Sequence, residues 1–291
     1  MPDGLLVVDK PRGPTSHDIV AEARRRFGVR GIGHAGTLDP MATGVLVLLF
    51  GEARKLSSYL TLDEKTYVAE VSFGAATDTF DAEGTVTESR TPVPGTLHRG
   101  RIEAALATER ARTEQVPPRV SAIKVGGERA HRLTRRGEAP ILEPRKIHVA
   151  NLSLLEADEE RISLELTVSK GYYVRSLARD LGETLGAPAH LSRLARTRSG
   201  AFTLDDAVRW PPDELPALTP VAETVRRSLP CVELTLAGAA KARLGQRLAD
   251  EHFVAPPQGS HPHAWLDPEG RVVALGERAI EGYRVLRGFR E

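Results

Sequence analysis

The chain has 291 residues, a formal net charge of +1, 41% hydrophobic and 27% charged residues. These are ordinary values for a soluble globular protein and leave room for one large domain with a smaller companion. They also exclude: the longest apolar run, residues 45–50, is far below the roughly 20 residues of a membrane helix, and the single cysteine, Cys231, makes neither an intramolecular disulfide framework nor a cysteine zinc site.

The N-terminal stretch MPDGLLVVDK has no basic-then-apolar leader, so a cytoplasmic location is expected. Charge is unevenly spread. Residues 98–147 hold twelve Arg or Lys against six Glu, and 170–198 hold six against two, whereas 204–223 hold five acids against one Arg. Two basic segments suit a phosphate-binding face; equally, with only seven Lys among forty basic residues, they can reflect codon bias.

In chain order, residues 5–8 read as a short buried strand ended by Lys10-Pro11. Thr15 or Ser16 caps a helix, with Asp18 completing a capping box, Ile19, Val20, Ala23 and Phe27 at helical spacing, and Gly28 as the stop. Arg24, Arg25 and Arg26 suit the last turn of that helix and need no ligand. Residues 45–50 form a fully buried strand and 53–62 a helix. Residues 67–73 alternate, with Tyr67, Ala69, Val71 and Phe73 on one face of a strand, followed by a Gly- and Asp-rich loop at 74–84. A helix is predicted at 101–110, a strand at 120–125 and another helix at 129–136.

Residues 149–155 and 161–169 make a hairpin across the acidic turn 158–160, and 172–185 a helix with Arg175 and Arg179 on one face. Elements interleave without strict βαβ repetition, which predicts an α+β fold with a mixed sheet. Residues 211–231 have the proline-rich, acidic composition of a linker. Residues 232–291 carry short β-like runs punctuated by glycine and read as a small β-rich domain, leaving 1–210 as the main domain.

The chain lacks a P-loop, a dinucleotide fingerprint, His-Glu-x-x-His and Gly-x-Ser-x-Gly. Chemistry without a nucleotide cofactor or tightly bound zinc is therefore expected. The stretch HAGTLDPMATG places one carboxylate, Asp39, between Gly36 and Gly44. Asp-Pro is a common turn dipeptide, so local spacing reads as a tight loop. A carboxylate nucleophile would also need orientation and a counter-charge, for which Arg175 in KGYYVRSLARDL is the candidate.

Six segments in order carry a resemblance. GHAGTLDPMATGVL resembles the catalytic motif of the TruB-type tRNA pseudouridine synthases, which act on uridine 55 in the TΨC loop. LLVVDKPRGPTSHD, KTYVAEVSFGAATDTFDAEG, QVPPRVSAIKVGGERAHRLTRRG, VSKGYYVRSLARDLG and AHLSRLARTRSGAF resemble the family's other segments, so that the match spans residues 4 to about 210. The resemblance implies a mainly antiparallel pseudouridine-synthase sheet flanked by helices, followed by a small PUA-like RNA-binding domain. It further implies Asp39 as nucleophile, Tyr67 packing on the target base and serving in proton removal, and Arg175 pairing with the nucleophile and holding it ionised. His34 would fill the space of the flipped base, Leu191 would line the pocket, and Lys10 and Lys124 would lie at the substrate. No cofactor or metal is implied. The partner is the tRNA T-stem-loop, and nothing in the chain suggests a coiled coil or exposed interface, so a monomer is expected.

His131 departs from the family's Gly-Gly-x-x-x-Tyr pattern, which puts local packing or an RNA contact in doubt there. Two other readings remain: an RNA-binding or chaperone protein, and the guide-RNA-dependent relative. A chain without a long Lys-rich tail speaks against the latter.

Overall fold

The computed structural model describes residues 2–290 except 122, 126, 131–132, 134–135, 137 and 139–140. His131 and most of the helix expected at 129–136 therefore lie outside the described residues. The main domain is a nine-stranded sheet. Its long strands are β1 (Gly4–Lys10), β3 (Thr43–Phe50), β4 (Lys65–Phe73), β5 (Val149–Ala157), β6 (Arg161–Val168) and β7 (Ala189–Ser199), in the order β5-β6-β4-β7-β3-β1. The short β2 (Ile32–Ala35) pairs with β3. Antiparallel pairing dominates; β7 runs parallel to β3, and β1 parallel to Val208–Arg209.

The hydrophobic pattern explains which strands are covered on both faces. β6 alternates, burying Ile162, Leu164, Leu166 and Val168 and turning Arg161, Ser163, Glu165 and Thr167 outward. β1 and β3 are almost continuously apolar because both their faces are buried. One face, with Leu6, Val8, Leu46 and Leu48, joins the core under the helices. The other, with Leu5, Val7, Val47 and Leu49, packs against Val225, Ala264, Leu266 and Leu275 of the C-terminal region.

Helix α1 (Ser16–Phe27) starts as its sequence dictates. The Asp18 N–H donates to Thr15 Oγ1, and the Thr15 N–H donates to the Asp18 carboxylate. It ends at Gly28, whose φ of 63° is left-handed. Helices α2 (Arg99–Arg110) and α3 (Val174–Leu185) cover the β4–β6 half with Ile102, Leu106, Leu177 and Leu181.

Two local expectations are corrected. Residues 53–62 are not one helix: a 3₁₀ turn at Gly51–Leu56 precedes a single α-turn at Ser57–Leu60. Ala53 and Leu56, three residues apart, are both buried, which suits a three-residue repeat. Residues 120–125 are not one strand either. The chain bends at 119–121 after Pro117-Pro118, and among the described residues only Lys124–Val125 forms a ladder, with Glu128–Arg129.

Within residues 211–231, the Thr219 backbone hydrogen-bonds Leu5 in both directions, and a helix, Val221–Ser228, buries Val225 completely. The C-terminal region forms a four-stranded sheet of Cys231–Glu233, His263–Leu266, Val272–Arg278 and Tyr283–Gly288 in that order. Its own core centres on Trp265, Phe253 and Tyr283.

Candidate active site

The loop between β2 and β3 carries Asp39, and its five consecutive carbonyls are all occupied. Those of Gly36 and Thr37 accept from Arg196, that of Leu38 from Ser16 Oγ, that of Asp39 from the Ala42 N–H, and that of Pro40 from the Gly13 N–H and Lys10. A loop so tied holds its side chains in one geometry, because releasing any tie leaves a polar group unpaired.

Arg196 is 1% exposed, and its Nε donates to Val45 O at 2.7 Å. Gly44 makes this approach possible. Its φ is +98°, and a Cβ there would lie 2.2 Å from Arg196 O.

Lys10 is fully buried. Its ammonium donates to Pro11 O, Pro14 O and Pro40 O, and burial lowers its pKa to about 8. Lys10, expected at the substrate, thus directs its donors to backbone carbonyls beneath the loop.

Asp39 retains access, with its side chain 37% exposed, and Arg175 Nε lies 2.9 Å from its Oδ2. Arg175 sits in the first turn of α3, where a cation opposes the helix dipole, so it needs outside partners. It has them on every side. Nη1 donates to Thr79 O, Nη2 to Val120 O, and Nε also lies 3.6 Å from the buried Asp81 carboxylate. Asp81 is held in turn by Thr79 Oγ1 and the Glu83 N–H. Glu83 at the rim has its pKa raised by partial desolvation and by Asp81 and Asp39.

Tyr67, half-buried on β4, lies directly opposite Arg196 of β7 in the sheet register, which brings it beside the loop. His34 of β2 is also half-buried. Its ring meets His17 edge-on at 5.5 Å, and its Nδ1 is buried without a hydrogen-bond partner among the described residues. Burial, with His17 and Arg196 adding, lowers its pKa to about 4, so the ring is neutral at ordinary pH.

Leu191, expected to line the pocket, has no exposed surface, and its backbone ties the neighbouring turn. Its N–H donates to Phe80 O and its carbonyl accepts from the Ala82 N–H, fixing the Asp81 turn. A bulge between Leu191 and Arg193 resets the register. Leu194, 8% exposed, is then the leucine nearest Arg196 on that strand face. Lys124 lies in the short strand Lys124–Val125.

Sequence reading missed Arg196, Ser16, Asp81 and Tyr173. Burial raises the pKa of the Tyr173 phenol, with Arg145 and Arg175 opposing and Asp39 adding. Its place two residues before Arg175 is the one signal the sequence offers for it.

No group of His, Cys, Asp and Glu that could hold a metal occurs among the described residues, and no described helix is long and apolar enough to cross a membrane.

Solved structures share this architecture. "Crystal Structure of a Cbf5-Nop10-Gar1 Complex" aligns with a TM-score of 0.74 at 24% identity, covering 99% of this chain and 84% of that one. "Structure of H/ACA RNP bound to a substrate RNA containing 2'-deoxyuridine" aligns at 0.73, also at 24% identity, covering 99% and 85%. Residues 24–174 match the N-terminal domain model of the TruB family pseudouridylate synthases, which puts the chain in the class of enzymes that isomerise uridine in RNA. Residues 175–218 match the tRNA pseudouridylate synthase B C-terminal domain. The chain belongs to the TruB family. It is 42% identical to tRNA pseudouridine synthase B of Thermobifida fusca, over 95% of both chains. It is 44% identical to that of Mycobacterium tuberculosis, over 94% of this chain and 91% of the relative.

Proposed function

We propose that the protein converts uridine 55 in the T-loop of tRNA to pseudouridine, with Asp39 as nucleophile. The observation that carries this reading is the 2.9 Å pair of Arg175 Nε and Asp39 Oδ2 on a loop whose carbonyls from Gly36 to Pro40 are all hydrogen-bonded. In this reading the carboxylate attacks the ribose C1′ or the uracil ring, and the N1–C1′ bond breaks. The held base rotates, C5 bonds to C1′, the bond between Asp39 and the substrate breaks and returns the carboxylate, the C5 proton leaves and N1 takes one. Atoms and electrons balance within the nucleotide, so the isomerisation draws on no cofactor.

The reacting atoms are buried in a folded T-loop, so the base must leave the stack, at a cost of a few kcal/mol. His34, neutral and half-buried, is suited to fill the gap it leaves. Tyr67 and Tyr173 supply rings to hold the base, Leu194 the apolar wall with Leu191 buried behind it, and Lys10 the brace under the loop. Lys124 and the basic segments 98–147 and 170–198 contact RNA phosphates. The domain reading is 1–210 catalytic, 211–231 connecting, and 232–291 a PUA-like RNA-binding unit. The enzyme acts as a cytoplasmic monomer.

The test is to incubate the purified protein alone with a T-stem-loop transcript and assay pseudouridine. Product at one defined uridine is expected; no product at stoichiometric enzyme overturns the reading. RNA affinity should weaken as salt rises, because phosphate contacts release counterions.

A further inference from the structure

Residues 115–120, QVPPRV, lie across the first turn of α3 as a strap. Gln115 begins it and is 2% exposed. Its amide pairs with one backbone unit in both directions: Nε2 donates to Tyr173 O at 3.1 Å, and Oε1 accepts from the Tyr173 N–H at 2.8 Å. Tyr173 is the N-cap of α3, and its own side chain makes no capping bond. The strap continues along the helix. Val116 O accepts from Ser176 Oγ at 2.9 Å, and Val120 O accepts from Arg175 Nη2 at 3.0 Å. Between these contacts lie the buried Pro117 and Pro118, whose rings fix φ and carry no N–H, so the path is stiff. At the upstream end, Arg112 makes a bidentate pair with Glu109, the fully buried acid near the end of α2.

We propose that Gln115 is a positioning residue for the isomerisation: its amide fixes the Tyr173 backbone, and the strap it begins aims the Arg175 guanidinium at Asp39. This rests on the reading of Asp39 as nucleophile. Gln115 is 2% exposed and bonds the Tyr173 backbone, so it acts through Tyr173 and Arg175. Both side chains leave one short stretch of backbone, so a small shift there moves the ring and the counter-charge together. Misplacement by about 1 Å can cost about 100-fold in rate when reacting groups depend on near-attack geometry. A purely structural contact would instead lower stability and leave the rate of the folded enzyme unchanged.

The experiment measures kcat, KM and RNA Kd on the T-stem-loop transcript for wild type and Gln115→Met, which keeps side-chain length and removes both hydrogen bonds. The expected result is a kcat lower by about 10- to 100-fold with Kd within about twofold, after correction for folded fraction. A kcat equal to wild type, or a loss confined to KM, overturns the proposal. Should Gln115→Met fail to fold, Ser176→Ala decides by the same split: a reduced kcat at constant Kd supports the strap, and an unchanged kcat overturns it. An inactive wild type overturns the functional reading itself, whereas an active wild type with fully active strap variants overturns only the positioning role.

Discussion

Arg175 Nε lies 2.9 Å from Asp39 and 3.6 Å from Asp81, so one edge of a buried guanidinium serves two carboxylates of different exposure. The more exposed one, Asp39, is the proposed nucleophile; the buried one, Asp81, backs the arginine. Asp39→Asn keeps an oxygen that Arg175 can bond and removes the carboxylate proposed to attack. Turnover is expected to fall on the order of 10⁴-fold or more, with RNA affinity retained. Full turnover in the single-turnover pseudouridine assay would refute the assignment.

Removing the arginine tests the other half of the relationship. Arg175→Met strips the buried Asp81 of its cation and should cost about 3 kcal/mol of stability. Adding Asp81→Asn removes the uncompensated charge, so the double variant should be more stable than Arg175→Met alone. Urea denaturation of the four proteins gives the cycle; additive costs would show that the two groups are not coupled.

Gly44 and Gly28 both have positive φ but different surroundings. A Cβ at Gly44 would strike Arg196 O at 2.2 Å, whereas one at Gly28 meets nothing within 4 Å. Gly44→Ala should therefore cost about 3 kcal/mol or more and reduce activity, because the clash falls on the arginine that holds the loop. Gly28→Ala, strained only in its backbone, should cost about 1 kcal/mol and leave turnover intact. Equal losses in both denaturation and activity would refute the loop-clamp account.

Much of the frame is legible in local sequence. The capping box of Thr15 and Asp18 and the stop at Gly28 are local chemistry, and they are found where the residues place them. The contrast between continuously apolar β1 and alternating β6 reports which strands are covered twice. Arg175 in a helix's first turn runs against the dipole, which marks it for another purpose. Asp39 alone reads only as a turn; the partner that makes it a candidate nucleophile comes from a distant segment.

What stayed hidden acts at long range. Arg196 reaches Gly36 across 160 positions, and Ser16 reaches Leu38 across 22, with no periodicity to announce either. The bulge after Leu191 breaks the two-residue period, so face assignment along β7 fails beyond it.

His34 gives a pH prediction. Its folded pKa is lowered from 6.5 to about 4, chiefly by burial. Between those values the unfolded chain binds a proton that the folded chain refuses, so this contribution to stability is full above 6.5 and is lost as pH falls toward 4. His34→Asn should flatten that part of the stability curve. Denaturant midpoints measured across the window check it, and an unchanged slope would assign the acid loss to other groups.

The cluster around Val225 makes a prediction about cooperativity. Val225 is fully buried among Leu5, Val7 and Leu49 on one side and Leu266 and Leu275 on the other. The tail adds polar ties, with Lys55 Nζ donating to Gly288 O and the Arg290 N–H to Glu52. The C-terminal sheet and the main sheet thus share a core, and neither can lose it without exposing the other. Trp210→Phe leaves Trp265 as the single tryptophan, in the core of the C-terminal sheet, so its fluorescence reports that region, while far-UV circular dichroism reports the whole chain. The two unfolding curves should coincide. Adding Val225→Ala should lower both midpoints together, by about 2 kcal/mol of stability, because the cavity opens between the two sheets. A fluorescence transition that separates from the dichroism curve would show that the C-terminal sheet folds on its own, and the shared core would then carry no coupling.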